Sequence, residues 1–143
     1  MIRKATPNDL PAAAALAVRM WEHEAEELIQ EWAEADAAGE GAVFVAEEAR
    51  RIVGFAQCAL RHDYVEGTDT SPVGYLEGVF VDEACRRRGY AARLLSACQR
   101  WAKEKGCREF ASDCELDNTD SLEFHLSLGF TEANRIICFT KKL

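Results

Sequence analysis

The chain has 143 residues, enough for one domain with its own core, so residues 1–143 are expected to form a single unit. Hydrophobic residues make up 48% and charged residues 29%, ordinary for a globular fold, and no apolar run nears the ~20 residues of a membrane span. A formal net charge of −8 argues against a nucleic-acid partner, which needs a broad basic surface, and the N-terminus has no apolar signal core, so a cytoplasmic address is expected.

In chain order, residues 1–5 alternate weakly, as a short strand does. Thr6-Pro7-Asn8-Asp9 supplies a hydroxyl cap, a proline in the first turn and an acid three residues after the cap, which predicts a helix continuing to about Met20. Residues 22–38 read as a second helix, stopped by Gly39 and Gly41. Residues 42–46 (AVFVA) and 51–60 (RIVGFAQCAL) predict an antiparallel strand pair around a polar turn. Residues 61–74 (RHDYVEGTDTSPVG) are a loop by composition. Residues 75–81 (YLEGVFV) predict a strand, and Gly78 inside it signals a bulge or the close approach of another group. Residues 90–105 predict a helix with Ala91, Leu94, Leu95, Cys98, Trp101 and Ala102 on one face. A short strand over 109–114, a helix over 118–128 ending at Gly129, and one or two strands over 130–142 complete an α+β domain with a central mixed sheet.

The six cysteines form neither a CxxC pair nor a Cys/His cluster with metal spacing, so reduced thiols and no metal are expected. Charge is unevenly placed. Between Trp21 and Arg50 stand ten acids and no Lys or Arg, which reads either as a solvated face or as an attraction for a cationic ligand. Against this background Arg86-Arg87-Arg88-Gly89 gathers positive charge where the helix over 90–105 begins. Helix-start amides lack partners within the helix, the dipole adds partial positive charge, and Gly89 permits the backbone to converge on one group. A pyrophosphate fits such a place. Neither GxxxxGK[ST] nor GxGxxG is present, so the mononucleotide and dinucleotide loops are excluded, and an arginine-rich surface turn stays open as the plainer reading.

Arg86 to Ala91 (RRRGYA) also matches R/Q-x-x-G-x-G/A, and in this it resembles the acetyl-CoA pyrophosphate loop of the GNAT acetyltransferase superfamily. The segment HLSLGF at residues 125–130 resembles the superfamily's closing segment, and the order of elements agrees over nearly the whole chain. The strings RHDYVEGTDTSPVGYLEGVFV (61–81) and GCREFASD (106–113) resemble aminoglycoside 6'-N-acetyltransferases more narrowly.

This resemblance implies a mostly antiparallel sheet with a V-shaped split between two parallel strands, and transfer of acetyl from acetyl-CoA to the 6'-amine of an aminoglycoside. It places the pantetheine arm on the backbone of Val79, Phe80 and Val81. It assigns the phosphates to Arg86, Arg87, Arg88, Gly89, Tyr90, Ala91 and Ala92, with Asn118 on the pantetheine side. It implies aminoglycoside contacts at Trp21, Tyr64, Glu77 and Asp113. Glu77 is the candidate base, or else only a ligand for an ammonium. Trp21 is equally readable as a core aromatic, and Asp113 as a turn or cap residue.

Two departures stand out. His125 occupies the position where relatives often carry a tyrosine that protonates the thiolate, so it is either that acid or structural. Asn134 is neutral where some relatives are acidic, and Phe139 lacks a hydroxyl. The resemblance also implies a homodimer through the C-terminal strands; no nucleic-acid or membrane partner is expected. The competing readings are acetylation of another small amine, such as a polyamine, and a non-catalytic domain that binds acetyl-CoA or the drug.

Overall fold

A computed structural model describes all 143 residues. Strand β1 (Ile2–Lys4) leads through a 3-10 turn at Pro7–Asp9 into α1 (Leu10–Ala17). The Asp9 carboxylate accepts from the Thr6 amide at 2.7 Å and the Thr6 hydroxyl at 2.9 Å, and Arg3 clamps it from β1 at 2.6 Å. The expected capping acid therefore also ties the helix start to the sheet. Helix α2 (Ala25–Ala37) follows, then β2 (Gly41–Glu48), β3 (Arg51–Arg61) and β4 (Val73–Val81). Helix α3 (Tyr90–Glu104), the two-residue strand β5 (Phe110–Ala111) and α4 (Thr119–Ser127) complete the chain's regular elements. None of the helices is long and apolar enough to cross a membrane.

The five strands lie in the order β1-β2-β3-β4-β5, antiparallel except for the parallel pair β4-β5. The β2-β3 turn holds Ala49 and Arg50 at positive φ, +50° and +63°. Two left-handed residues in a row give the tight turn whose twist suits a hairpin, although neither residue is the Gly or Asn that usually announces one.

Alternation along the strands feeds two cores. Phe55, Val43 and Val45 meet α1 and α2 through Leu16, Leu28 and Trp32. On the other face Ala56, Cys58, Leu76 and Val81 meet Leu94, Leu95, Cys98 and Trp101 of α3. The apolar stripe expected on α3 is thus its buried face. All six cysteines are free; Cys58 and Cys98 are buried neighbours across the β3-α3 contact, and the hydrogen bond with Cys58, followed by burial, pushes the Cys98 thiol well up.

One expected element is absent. Residues 130–143 form no strand, and residues 131–143 are exposed throughout, with Ile136, Ile137 and Phe139 among the most exposed apolar side chains. A strand exists only by pairing, and the outer edge of β5 has no partner within the chain. A cleft of about 930 Å³ separates β5 and α4 from this arm.

The close approach of α3 to β4 depends on Gly74. A Cβ there would stand 2.6 Å from the Cβ of Ala102 and 2.7 Å from Cδ1 of Phe110. Overpacking of this kind costs about 1–3 kcal/mol. Gly74→Ala should lower stability by that amount in urea unfolding; an unchanged midpoint would show that helix and strand are free to separate there.

Candidate active site

Strands β4 and β5 pair at only two positions, Gly74↔Phe110 and Tyr75↔Ala111, and beyond Tyr75 they part. The β5-facing edge of β4 therefore has no strand partner from Leu76 onward, past Val79, Phe80 and Val81; side chains reach it only at its ends, Ser112 at the Leu76 carbonyl and Arg86 at the Val81 carbonyl. Just past the parting, β4 bulges: Gln57 pairs with Gly78 and Cys58 with Leu76, so Glu77 has no partner on β3. An extra residue reverses the alternation. Leu76 and Val79 both face α3, and Glu77 with Gly78 between them faces the α1-α2 side.

At Gly78 a Cβ would stand 2.2 Å from Cζ2 of Trp21. The close approach expected at this glycine is made by the indole, which also packs edge-on against Phe55 with centroids 6.0 Å apart. Trp21 is half-buried, so it is a core aromatic and at the same time the wall beside Glu77.

Glu77 is not alone. Oε1 accepts from Nε of Arg61 at 3.1 Å and from Nη2 at 2.8 Å, and Oε2 accepts from Nη2 at 2.9 Å. The guanidinium lies 3.6 Å from the centroid of the Tyr75 ring. The Tyr75 hydroxyl in turn donates to Asp113 Oδ2, and burial together with that carboxylate pushes the phenol well up. Asp113, just past β5, is thus neither a turn residue nor a cap but the exposed end of a four-residue chain across the V. Tyr64 stands in the loop between β3 and β4 and is 76% exposed.

That loop is pinned at its far end. Glu109 accepts from the amides of Asp69 and Thr70, both at 2.9 Å, and from the Thr70 hydroxyl. These bonds, the hydroxyl's first, hold the Glu109 carboxyl below the usual carboxylate range. Across the same loop Asn134 donates to Glu66 Oε1 at 2.9 Å, so the neutral residue here joins the arm to a carboxylate that an acid would repel.

At the other end of the V, Asp82 caps a short 3-10 turn at Glu83–Cys85. Arg86 donates from Nε to the Val81 carbonyl at 2.9 Å and lies over the Phe80 ring, which braces the turn against β4. Arg87 at φ +64° and Gly89 at φ +77° then place two left-handed residues around Arg88. The first helical bond of α3 runs from the Arg93 amide to the Gly89 carbonyl at 3.1 Å. The amides of Tyr90, Ala91 and Ala92 therefore have no acceptor within the helix, and they make an anion cradle. Arg88 pairs with Glu48 at the end of β2, and the Tyr90 hydroxyl donates to the same carboxylate at 2.6 Å. Arg88 first, then Tyr90, holds the Glu48 carboxyl down.

His125, on α4, reaches β5. Nδ1 meets the Ser121 carbonyl at 2.6 Å, so it carries a hydrogen and Nε2 faces the Ser112 hydroxyl at 2.8 Å. Ser112 Oγ lies 3.3 Å from the Leu76 carbonyl, which makes His125 and Ser112 a bridge over the V where the strands part. Asn118 caps α4, accepting from the Ser121 amide at 3.1 Å.

Residues 8–130 match the acetyltransferase (GNAT) family. The chain belongs to the GNAT acetyltransferase family. Aminoglycoside N(6')-acetyltransferase type 1 of Stenotrophomonas maltophilia is 42% identical over 143 residues, covering 99% of this chain and 93% of that one. Its namesake in Salmonella typhimurium is 48% identical over 101 residues, covering 71% and 70%. Among solved structures, AAC(6')-Iy in complex with the bisubstrate analog CoA-S-monomethyl-acetylneamine superposes with a TM-score of 0.94 at 40% identity, covering 100% of this chain and 98% of that one.

Reasoning from the sequence missed Arg61, Tyr75, Ser112, Glu48 and Glu109. Tyr75 shares strand parity with Glu77 and could have been read from it. The other four act across the fold, and nothing near them in the sequence marks their partners.

Glu109→Ala should loosen the loop that carries Tyr64. A carboxyl held low in the folded state contributes fully above the ordinary glutamate value of about 4.3 and loses its contribution as pH falls through the lowered one. The melting temperature of Glu109→Ala should lie below that of the parent at neutral pH, and the gap should close in acid. A gap that does not change with pH would dissociate the loop's anchorage from this carboxylate.

Proposed function

We propose that this chain transfers the acetyl group of acetyl-CoA to the 6'-amine of aminoglycosides by direct attack of the amine. The observation that carries this reading is the division of charge along one cleft. Free amides and arginines at Arg87 to Ala92 suit the phosphates of the donor, and the carboxylates Glu77 and Asp113, with the indole of Trp21, suit a polycationic sugar. The names of the relatives and the analog joining CoA to a neamine support it.

In this reading the unpaired edge of β4 at Val79, Phe80 and Val81 hydrogen-bonds the pantetheine arm as an added strand would. The amide of Val79 or Val81 faces the acetyl oxygen and stabilises its developing charge. The 6'-ammonium, with a pKa of roughly 10, must lose a proton to attack, and Glu77 receives that proton directly or through water. The nitrogen lone pair then forms the bond to the acetyl carbon as the carbon–sulfur bond breaks, and the nitrogen's surplus proton leaves to water. His125, when doubly protonated, passes a proton through the Ser112 hydroxyl to the departing sulfur. Asn118 lies at the end of α4 that borders the pantetheine path. Tyr64 supplies an aromatic surface from the pinned loop.

The exposed arm supports a homodimer. Ile136, Ile137 and Phe139 lack cover in their own chain, and the open edge of β5 beside the 930 Å³ cleft lacks a strand. The arm of a second copy supplies one. Free thiols and a CoA donor suit a cytoplasmic address.

The test is release of free thiol from acetyl-CoA with kanamycin, tobramycin or spermine as acceptor. Turnover is expected with both aminoglycosides and not with spermine; the reverse pattern would favour a polyamine enzyme, and no turnover with any acceptor a binding domain. Glu77→Gln should lower kcat/KM by about 100-fold or more if it accepts the proton. For the dimer, light scattering should give twice the chain mass for the full chain and the single mass after removal of residues 131–143. A full chain of single mass would sink the dimer.

A further inference from the structure

The geometry points to Arg61 as the positioning residue of the acceptor site: it holds the Glu77 carboxylate in the orientation that receives the substrate's ammonium. This deepens the proposed function and rests on it. Glu77 sits at a bulge, with no cross-strand neighbour to limit its side chain. Its three hydrogen bonds come from Arg61, and they are unevenly divided: Oε1 accepts two and Oε2 one. An ionised carboxylate offers about four acceptor sites. The capacity left over is on Oε2, and that is the oxygen assigned to the ammonium.

A cation beside a carboxylate that must attract cations needs a reason. Stability is a poor one, because the pair is partly exposed, Arg61 at 43% and Glu77 at 25%, and such pairs contribute little. Competition with substrate is a second possibility, in which the incoming ammonium would push Arg61 aside. The surroundings argue against it. The guanidinium is stacked on Tyr75, the Tyr75 ring is buried with Val65 and Val73, and its hydroxyl is held by Asp113. Displacing Arg61 would break the stack. Keeping it leaves two carboxylates and one guanidinium on a fixed frame, still one negative charge in excess for the acceptor.

The experiment compares Arg61→Gln, Arg61→Lys, Glu77→Gln and the double variant Arg61→Gln/Glu77→Gln, with neamine as acceptor. Loss of a charged hydrogen-bond network of this kind should raise the neamine KM of Arg61→Gln by about 10-fold or more. The acetyl-CoA KM should stay within about 2-fold, and Arg61→Lys, which keeps the charge without the planar fork, should recover part of the loss. In the Glu77→Gln background, Arg61→Gln should cost nothing further, because a residue acting through Glu77 has nothing left to orient. Losses that multiply in the double variant would overturn the assignment, and so would tighter neamine binding by Arg61→Gln, the mark of a competing cation. Melting temperatures check the fold, and Arg61→Lys carries the comparison if Arg61→Gln unfolds. Failure of the parent enzyme to acetylate neamine counts against the proposed function; independent losses at the two positions count against the coupling.

Discussion

The parting of β4 from β5 is the constraint on which the rest of this molecule depends. A parallel pair that stayed zipped would bury every amide of β4 and leave nowhere to lay a ligand. Here the ladder stops after two residues, and α3 keeps β4 supported from behind through Leu76, Val79 and Val81. The opened edge costs little because it faces solvent, where water satisfies its polar groups. The bulge then follows one residue later and turns Glu77 away from α3 toward the open face. One irregular stretch, residues 76–78, therefore creates the slot, aims the carboxylate and, through Gly78, admits Trp21.

The arginine triplet belongs to the same logic at the opposite end. A chain with net charge −8 repels anions as a whole, so the positive potential at the triplet is local. It is built mostly from backbone: two left-handed residues and three unpaired helix amides. The three arginine side chains are not equivalent. Arg86 is turned back onto β4, and Arg88 is held by Glu48 from the end of β2. The Glu48 contact offsets part of the loop's charge and fixes its distance from the sheet. What reads in sequence as one basic cluster is, in three dimensions, a brace and a tether around a cradle of amides.

The places of β2, β3 and β4, the buried stripe of α3 and the irregularity at Gly78 were legible in the sequence because each is local: a period, a spacing, a glycine inside a strand; the split between parallel strands came only with the family resemblance. The turn before α3, with Gly89 at its end, was legible for the same reason. Arg61, Glu48 and Glu109 were not, because their partners lie 16 to 40 residues away and only the register of the sheet joins them. The strand expected over 130–142 shows the complementary failure. Its residues have the right pattern, but a pattern specifies only which face is apolar and not the pairing that makes a strand, and residues 130–142 pair with none.

His125 shows how far a single substitution of residue type can be followed by geometry alone. A tyrosine at this place would present its proton directly. The imidazole instead spends Nδ1 on the Ser121 carbonyl, so its neutral form turns a lone pair, not a proton, toward Ser112. In that form Ser112 is the donor and the pair cannot protonate anything further. A second proton on the ring reverses the direction: Nε2 donates to Ser112, and the hydroxyl is released to donate toward the mouth of the V, where it already lies near the Leu76 carbonyl. The neutral tautomer is set by a helix carbonyl four residues back, so the direction of the His125–Ser112 hydrogen bond follows the ring's charge and not a choice between two neutral forms.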